Sequence, residues 1–351
     1  MVSLDQSIIV GLDLGNTNVK VYALNGSARP IKILFSSALG QFHESHNVRS
    51  KVIAMNGAHR LESAVGNFLV GDLASEISKH VSFRNTNEFR FSSRQIILPL
   101  TLTALGLLAK QTGHTQFSVV TGVPLTHFAE QIPVVRKMLN GAHTFVLDGK
   151  EYTVQIECNS NGVIPCSFGP WADYALDDNG QVPNSRQHAK VGIIDFGSAT
   201  TDLSTIIGRI TDGEYDVDCV FWRSIPTAWI NVVDRIREQL STNHKIDANF
   251  FEVDRAIREG RGIGKVSAAE LAGYRSNAED DVAISLAAQM QSEDCFGLGN
   301  DFDALVFVGG PTKYMASKVA HEYGQSLYTP NDPLFATARG YHTWGKYIAY
   351  G

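Results

Sequence analysis

Short apolar runs that stop at clusters of small residues set the rhythm of this chain. Ile8, Ile9 and Val10 lead to Asp13, Gly15-Asn16-Thr17-Asn18 follow, and Val19, Val21 and Tyr22 resume the pattern. Such a run broken by Gly and Asn predicts strand, tight turn and strand. Val191, Ile193 and Ile194 run the same way into Asp195, pass through Gly197-Ser198-Ala199-Thr200-Thr201, and continue as Asp202, Leu203, Ile206 and Ile207. The two Asp-Leu/Phe-Gly turns lie 195 − 13 = 182 residues apart in a chain of 351, which predicts two similar halves.

The rest of the pattern predicts strands around 31–35, 52–54 and 68–70, a buried helix over 96–111, and a buried strand over 117–125. A helix over 127–140, a hairpin over 145–157 turning on Asp148-Gly149, a strand and helix over 162–176 and a polar exposed loop over 177–190 come next. Beyond the second hairpin, a strand at 216–223, a helix at 226–241 opening on Pro226, and a helix at 276–291 are expected. The buried strand Ala304 to Val308 runs into Gly309-Gly310-Pro311 and a helix, and 332–351 closes as a helix carrying the small residues Ala336, Ala338, Gly340 and Gly345. Strands alternating with helices predict an α/β fold.

At about 150 residues per domain, the length allows two domains. A hydrophobic content of 44% and charged content of 19% describe a soluble globular protein, and a net charge of −6 argues against direct wrapping of nucleic acid. Cys158, Cys166, Cys219 and Cys295 form no zinc or disulfide framework, which fits a reducing cytoplasm. The start MVSLDQS lacks the basic region and apolar run of a signal peptide, and the apolar stretch 96–109 is shorter than the roughly 18 residues of a membrane span. No membrane partner is expected.

Turns built from Gly, Ser, Ala, Asn and Thr let backbone N–H groups and hydroxyls close around a phosphate. The acid at each mouth, Asp13 or Asp195, would repel a bare phosphate but suits one carrying Mg²⁺, through the metal's own waters. Gly309 and Gly310 allow a ligand to approach the end of a buried strand. Two other features carry less. His43 and His46 have no third ligand beside them and read as loop histidines. EGRGIGKVS, 259–267, fails the P-loop pattern at Glu259 and Val266 and reads as a loop.

Taken together, the two hairpins, the Gly-Gly-Pro strand end and the terminal small-residue helix resemble the actin-like ATPase superfamily over nearly the whole chain. The closest likeness is to the ParM and StbA plasmid-segregation group and archaeal actin-like relatives, through Asn18-Val19-Lys20, Gly122-Val123-Pro124-Leu125, Thr200-Thr201-Asp202 and Ala338-Arg339-Gly340-Tyr341. The resemblance implies a duplicated, ribonuclease H-like two-domain α/β fold with a nucleotide cleft, domain I being 1–168 plus 335–351 and domain II 169–334. It implies that Asp13, Gly15, Asn16, Thr17, Asn18 and Lys20 form the first phosphate motif, Asp195, Gly197, Ser198, Ala199 and Thr200 the second, and Gly309, Gly310 and Pro311 the adenosine motif. Mg²⁺ and ATP, or GTP, are the implied cofactors.

The implied activity is a nucleotidase coupled to filament formation, positioning plasmid DNA in the cytoplasm through a DNA-binding adaptor. Asp195 and Asp202 are the implied catalytic acids. The chain departs from the pattern at Cys166, which follows Pro165 where the ParM group carries Gln or Glu to orient the attacking water. A thiol is a poor partner for water, so either Asp202 carries more of that role or hydrolysis is slow. The alternative is a sugar or acyl kinase of the same superfamily, in which an Asp acts as base, but no additional sugar-recognition motif is present. No peptide-binding domain of a chaperone and no membrane-anchoring amphipathic helix of a cell-shape actin is seen at the termini.

Overall fold

The computed structural model describes residues 7–26, 29–41, 57–72, 74, 93–126, 128–177, 179–186, 189–211 and 214–351. His43, His46 and the strand expected at 52–54 lie outside them. The chain divides into two compact units, one of Met1–Arg186, Ile210–Tyr215 and Phe335–Gly351, the other of Gln187–Arg209 and Asp216–Leu334.

The first unit is built on β1 (Ile8–Leu14), β2 (Asn18–Asn25), β3 (Arg29–Ser36), β4 (Leu39–Gln41), β5 (Ala58–Ser63), β6 (Gly66–Gly71), α1 (Arg94–Thr112), β7 (Gln116–Val123), α2 (Phe128–Leu139), β8 (Gly141–Leu147), β9 (Lys150–Glu157), β10 (Val163–Pro165) and α3 (Phe168–Ala175). Its sheet runs β3-β2-β1-β7-β9-β8-β5-β6-β4, with β10 also on β7. One edge of β7 serves two strands, its first half pairing β9 from Gln116 to Ser118 and its second half β10 from Thr121 to Val123, all parallel. The turn at Asp148-Gly149 takes both residues to positive φ, as the Asp-Gly hairpin predicts. Asp148 accepts from His59 at 2.9 Å and from the Arg60 N–H at 2.9 Å, tying the turn to β5.

The second unit contains β11 (Lys190–Phe196), β12 (Thr201–Thr211) and β13 (Glu214–Ile225) except for their ends at 210–211 and 214–215, and then α4 (Trp229–His244), α5 (Phe250–Glu259), α6 (Ala268–Met290), β14 (Ala304–Val308) and α7 (Thr312–Tyr323). Its sheet order is β13-β12-β11-β14. α4 starts at Trp229 rather than at Pro226, because the Asn231 side chain accepts from the Ala228 N–H at 2.7 Å and the Thr227 carbonyl is taken by the Thr201 hydroxyl at 2.5 Å. α6 starts at Ala268, earlier than the apolar spacing suggests, capped by the Ser267 hydroxyl accepting from the Glu270 N–H at 3.2 Å. α5 was not anticipated in sequence.

The chain returns to the first unit as α8 (Ala336–Trp344), which ends in a π-turn over Gly345–Ala349. α8 lies against β1 and α3 through three glycines. A Cβ on Gly11 would stand 1.9 Å from the Ala338 carbonyl, one on Gly340 1.7 Å from the Gly169 carbonyl, and one on Gly169 2.6 Å from the Tyr341 ring. Arg339 adds a two-pronged ion pair to Asp173 at 2.5 and 2.7 Å. These contacts keep α3 in the first unit, which therefore runs past 168 to Arg186.

Each unit has its own apolar core. In the first, α1 buries Ile97, Leu100, Leu105 and Leu108 against Val10, Leu12, Val19 and Val21 of the hairpin strands. In the second, Ile194, Phe196 and Leu203 pack with Trp229, Val233, Val282, Leu286 and Phe307. Truncating one of these to Ala costs about 2–5 kcal/mol, and the same side chains hold the two turns in place.

Candidate functional site: two equivalent hairpins

The register of the two hairpins is the same, pair for pair. Leu14 stands opposite Val19 and Asp13 opposite Lys20 in the first, Phe196 opposite Thr201 and Asp195 opposite Asp202 in the second. Each encloses four residues, 15–18 or 197–200. A Cβ on Gly15 would sit 2.7 Å from the Asn18 carbonyl, and one on Gly197 2.7 Å from the Thr200 carbonyl, so each turn folds back on a glycine that admits no side chain.

Carbonyl oxygens of both turns are engaged by the protein. Ser37 donates its hydroxyl to the Gly15 carbonyl at 2.7 Å and its N–H to the Thr17 carbonyl at 2.8 Å. In the second turn the Gly197 and Ser198 carbonyls accept from the Trp229 and Ile230 N–H groups at 3.1 and 2.9 Å, at the N-terminus of α4. Fixing these oxygens on protein donors rigidifies turns whose remaining dipoles suit an anion.

The ladder position facing each acid differs in charge. Lys20 Nζ lies 2.6 Å from Asp13 Oδ2 with both side chains largely covered, a charge-assisted bond. In the second hairpin that position holds Asp202. Burial pushes the Asp202 carboxyl up, opposed by a hydrogen bond from Ser224, although part of its surface stays exposed. A carboxylate facing another across a ladder is unfavourable without a cation or proton between them.

Register places the other candidates at the same sheet ends. In the first unit Leu12 is level with Thr121, and Thr121 with Val163, so the Gly15 turn and Cys166 both follow the C-terminal ends of parallel strands, two strand spacings or about 10 Å apart. The Cys166 N–H donates to the Val123 carbonyl at 3.0 Å, and its carbonyl accepts from the Tyr341 hydroxyl at 3.1 Å. Gly122 makes room for that hydroxyl, since a Cβ there would lie 1.8 Å from it.

In the second unit Asp195 is level with Val308, so Gly309 follows β14 where Gly197 follows β11. Gly309 has φ +110°, and a Cβ on it would stand 2.2 Å from the Phe196 carbonyl and 3.1 Å from Asp195 Oδ1. Gly310 is exposed, and Pro311 is buried at the start of α7. Asp13, Gly15 to Asn18, Lys20 and Cys166 thus lie at one end of the sheet in the first unit, and Asp195, Gly197 to Thr200, Asp202 and Gly309 to Pro311 at one end of the sheet in the second. Sequence reasoning missed Ser37, Ser224 and Trp229, which support these turns from distant positions. Among the described residues, no group of three or more His, Cys, Asp or Glu side chains could hold a metal by itself, and no helix is long and apolar enough to cross a membrane.

Residues 11–169 match the family described as actin like proteins, N terminal domain. No curated protein matches the chain in sequence. Among solved structures, the archaeal actin homologue Ta0583 is 19% identical with a TM-score of 0.70, covering 97% of this chain and 99% of its own. ParM in a 15-stranded filament from Clostridium botulinum is 18% identical with a TM-score of 0.69, covering 97% and 99%. Bacillus thuringiensis ParM with ATP is 16% identical with a TM-score of 0.67, covering 96% and 97%. With its paired hairpins, its two sheets and the match of residues 11–169 to the family described as actin like proteins, N terminal domain, the chain has the actin-like fold shared by the ParM proteins and Ta0583.

Proposed function

We propose that this chain is a nucleotide-dependent, filament-forming actin-like ATPase of the cytoplasm that positions plasmid DNA through an adaptor protein. The observation that carries the reading is the pair of hairpins with one register, one obligatory glycine and one acid each. ATP or GTP would bridge them, its phosphates against Gly15 to Asn18 and Gly197 to Thr200 with Lys20 as counter-charge, and its nucleoside against Gly309 to Pro311. Structures of B. thuringiensis ParM with ATP and of Ta0583 with ADP support a nucleotide as the ligand.

The donor set fits Mg²⁺. With no three-carboxylate cluster among the described residues, the protein offers Asp13 and Asp195 singly, which suits an ion that keeps several waters and takes its remaining ligands from phosphates. Bound there, the metal would neutralise phosphate charge. Asp202, with its raised carboxyl, would accept the proton of the attacking water, and Cys166 would occupy the water-orienting position weakly. The two domains that would close on the nucleotide are those expected from the sequence, with the first crossover set after Arg186 instead of after 168.

Filament formation is supported by the ParM filament among the structural relatives. Nucleotide held by both hairpins would fix the surfaces that meet in a filament. The test is sedimentation and negative-stain microscopy of the purified chain with Mg²⁺ and ATP or GTP. Filaments that appear only with nucleotide support the reading; a protein that stays monomeric well into the micromolar range favours a kinase instead.

A further inference from the structure

In the second unit, the turn at Gly197 and the loop after β14 are joined by one side chain. Trp229 opens α4, and its N–H and that of Ile230 hold the Gly197 and Ser198 carbonyls. The same residue's indole lies flat against Tyr314 in the first turn of α7, with ring centroids 5.4 Å apart and planes 15° from parallel. The Tyr314 N–H donates to the Pro311 carbonyl at 2.9 Å, which links the ring to the Gly-Gly-Pro loop.

The indole is also locked from behind. Its Nε1–H donates to Asp254 Oδ1 at 2.8 Å, and Asp254 Oδ2 accepts from Arg258 Nε at 2.9 Å. Trp229 is 3% exposed and Asp254 8%. An ordinary core contact would be met by an apolar side chain without the cost of bringing a carboxylate into the interior. The carboxylate here fixes one orientation of the ring, the one that touches Tyr314 while the backbone holds the turn.

We propose that Trp229 is a positioning residue for the nucleotide, holding the turn Gly197 to Thr200 and the loop Gly309 to Pro311 at a fixed spacing, with Asp254 setting the indole's orientation. This rests on the reading of those two loops as phosphate and nucleoside contacts. A ligand that spans both gains from the preset spacing, because it does not spend binding energy on aligning them. A ligand that touches only the phosphate turn gains nothing from the indole's side.

Calorimetric titration of the full chain with Mg²⁺-ATP and with Mg²⁺-pyrophosphate tests this in wild type and Trp229→Phe, which keeps the ring stack and loses the bond to Asp254. The variant should bind ATP about tenfold more weakly, the equivalent of one charged hydrogen bond, and pyrophosphate within about twofold of wild type. Equal losses for both ligands, or no loss for ATP, overturn the positioning role while leaving the nucleotide site standing. Wild type that binds neither ligand removes the site and the role together. Hydrogen exchange on wild type guards against a variant that fails to fold: Mg²⁺-ATP should protect the Trp229 and Ile230 amides together with residues 312–314, and protection confined to 197–201 overturns the proposal.

Discussion

Acid should loosen the first unit through His342. This side chain on α8 is buried and meets the Tyr22 ring edge-on, with centroids 5.4 Å apart. Burial first, and the charge of Lys346 second, push its imidazole down from an ordinary 6.5 to about 4. The folded chain therefore keeps His342 neutral while the unfolded chain takes up a proton below 6.5. Between pH 6.5 and about 4 the unfolded state binds more protons, so this contribution to stability is present in full above 6.5, falls with pH through that window and levels off below it. A drop from 6.5 to about 4, at 1.36 kcal/mol per unit, amounts to about 3 kcal/mol. That is a large part of the 5–15 kcal/mol typical of a folded protein. Urea unfolding of wild type and His342→Gln at pH 7.5 and 4.5 isolates the effect, since carboxylates contribute alike to both proteins. The loss of stability on acidification should be about 2–3 kcal/mol smaller in the variant, and an identical loss in the two would refute the argument.

Lys20→Ala should weaken Mg²⁺-ATP binding by about 1.5–3 kcal/mol, roughly ten- to a hundredfold by calorimetry; unchanged affinity would displace the phosphates from this turn. Gly309→Ala should destabilise the second unit by about 1–3 kcal/mol or more, visible as a lower melting temperature, because φ is +110° and the new Cβ meets the Phe196 carbonyl. In phosphate-release assays, Cys166→Gln should speed hydrolysis or leave it unchanged, while Asp202→Ala should nearly abolish it and spare nucleotide binding. Loss of activity in the first with none in the second would reverse the roles.

The two hairpins were legible because their signal is local: apolar strands, a glycine that cannot be replaced, and an acid one pair before the turn all lie within about ten residues. The same holds for the Asp148-Gly149 turn and for β14 running into Gly309. What escaped depends on partners far away in sequence. Pro226 marks a helix start by local rules, but Thr201 takes the Thr227 carbonyl and moves the start to Trp229. α5 buries Val253, Ala256 and Ile257 at helical spacing, yet its fourth buried residue is Asp254, whose reason is the Trp229 indole. The Ser267-Glu270 capping signal was present for α6, although Leu271 is the only residue it buries before Ala278. The sheet order in which β5, β6 and β4 extend from β8 rests on one long-range pairing, that of β5 with β8, where Leu61 stands opposite Leu147, 147 − 61 = 86 residues away, and no local pattern encodes it.

The central claim is that the duplicated turns serve one nucleotide. Titration of wild type, Gly15→Ala and Gly197→Ala with Mg²⁺-ATP tests it most directly, because each added Cβ meets the equivalent carbonyl of its own turn at 2.7 Å. One nucleotide per wild-type chain, and loss of that one site in either variant, is the predicted result. Two independent sites, or full-affinity binding retained by either variant, would contradict it.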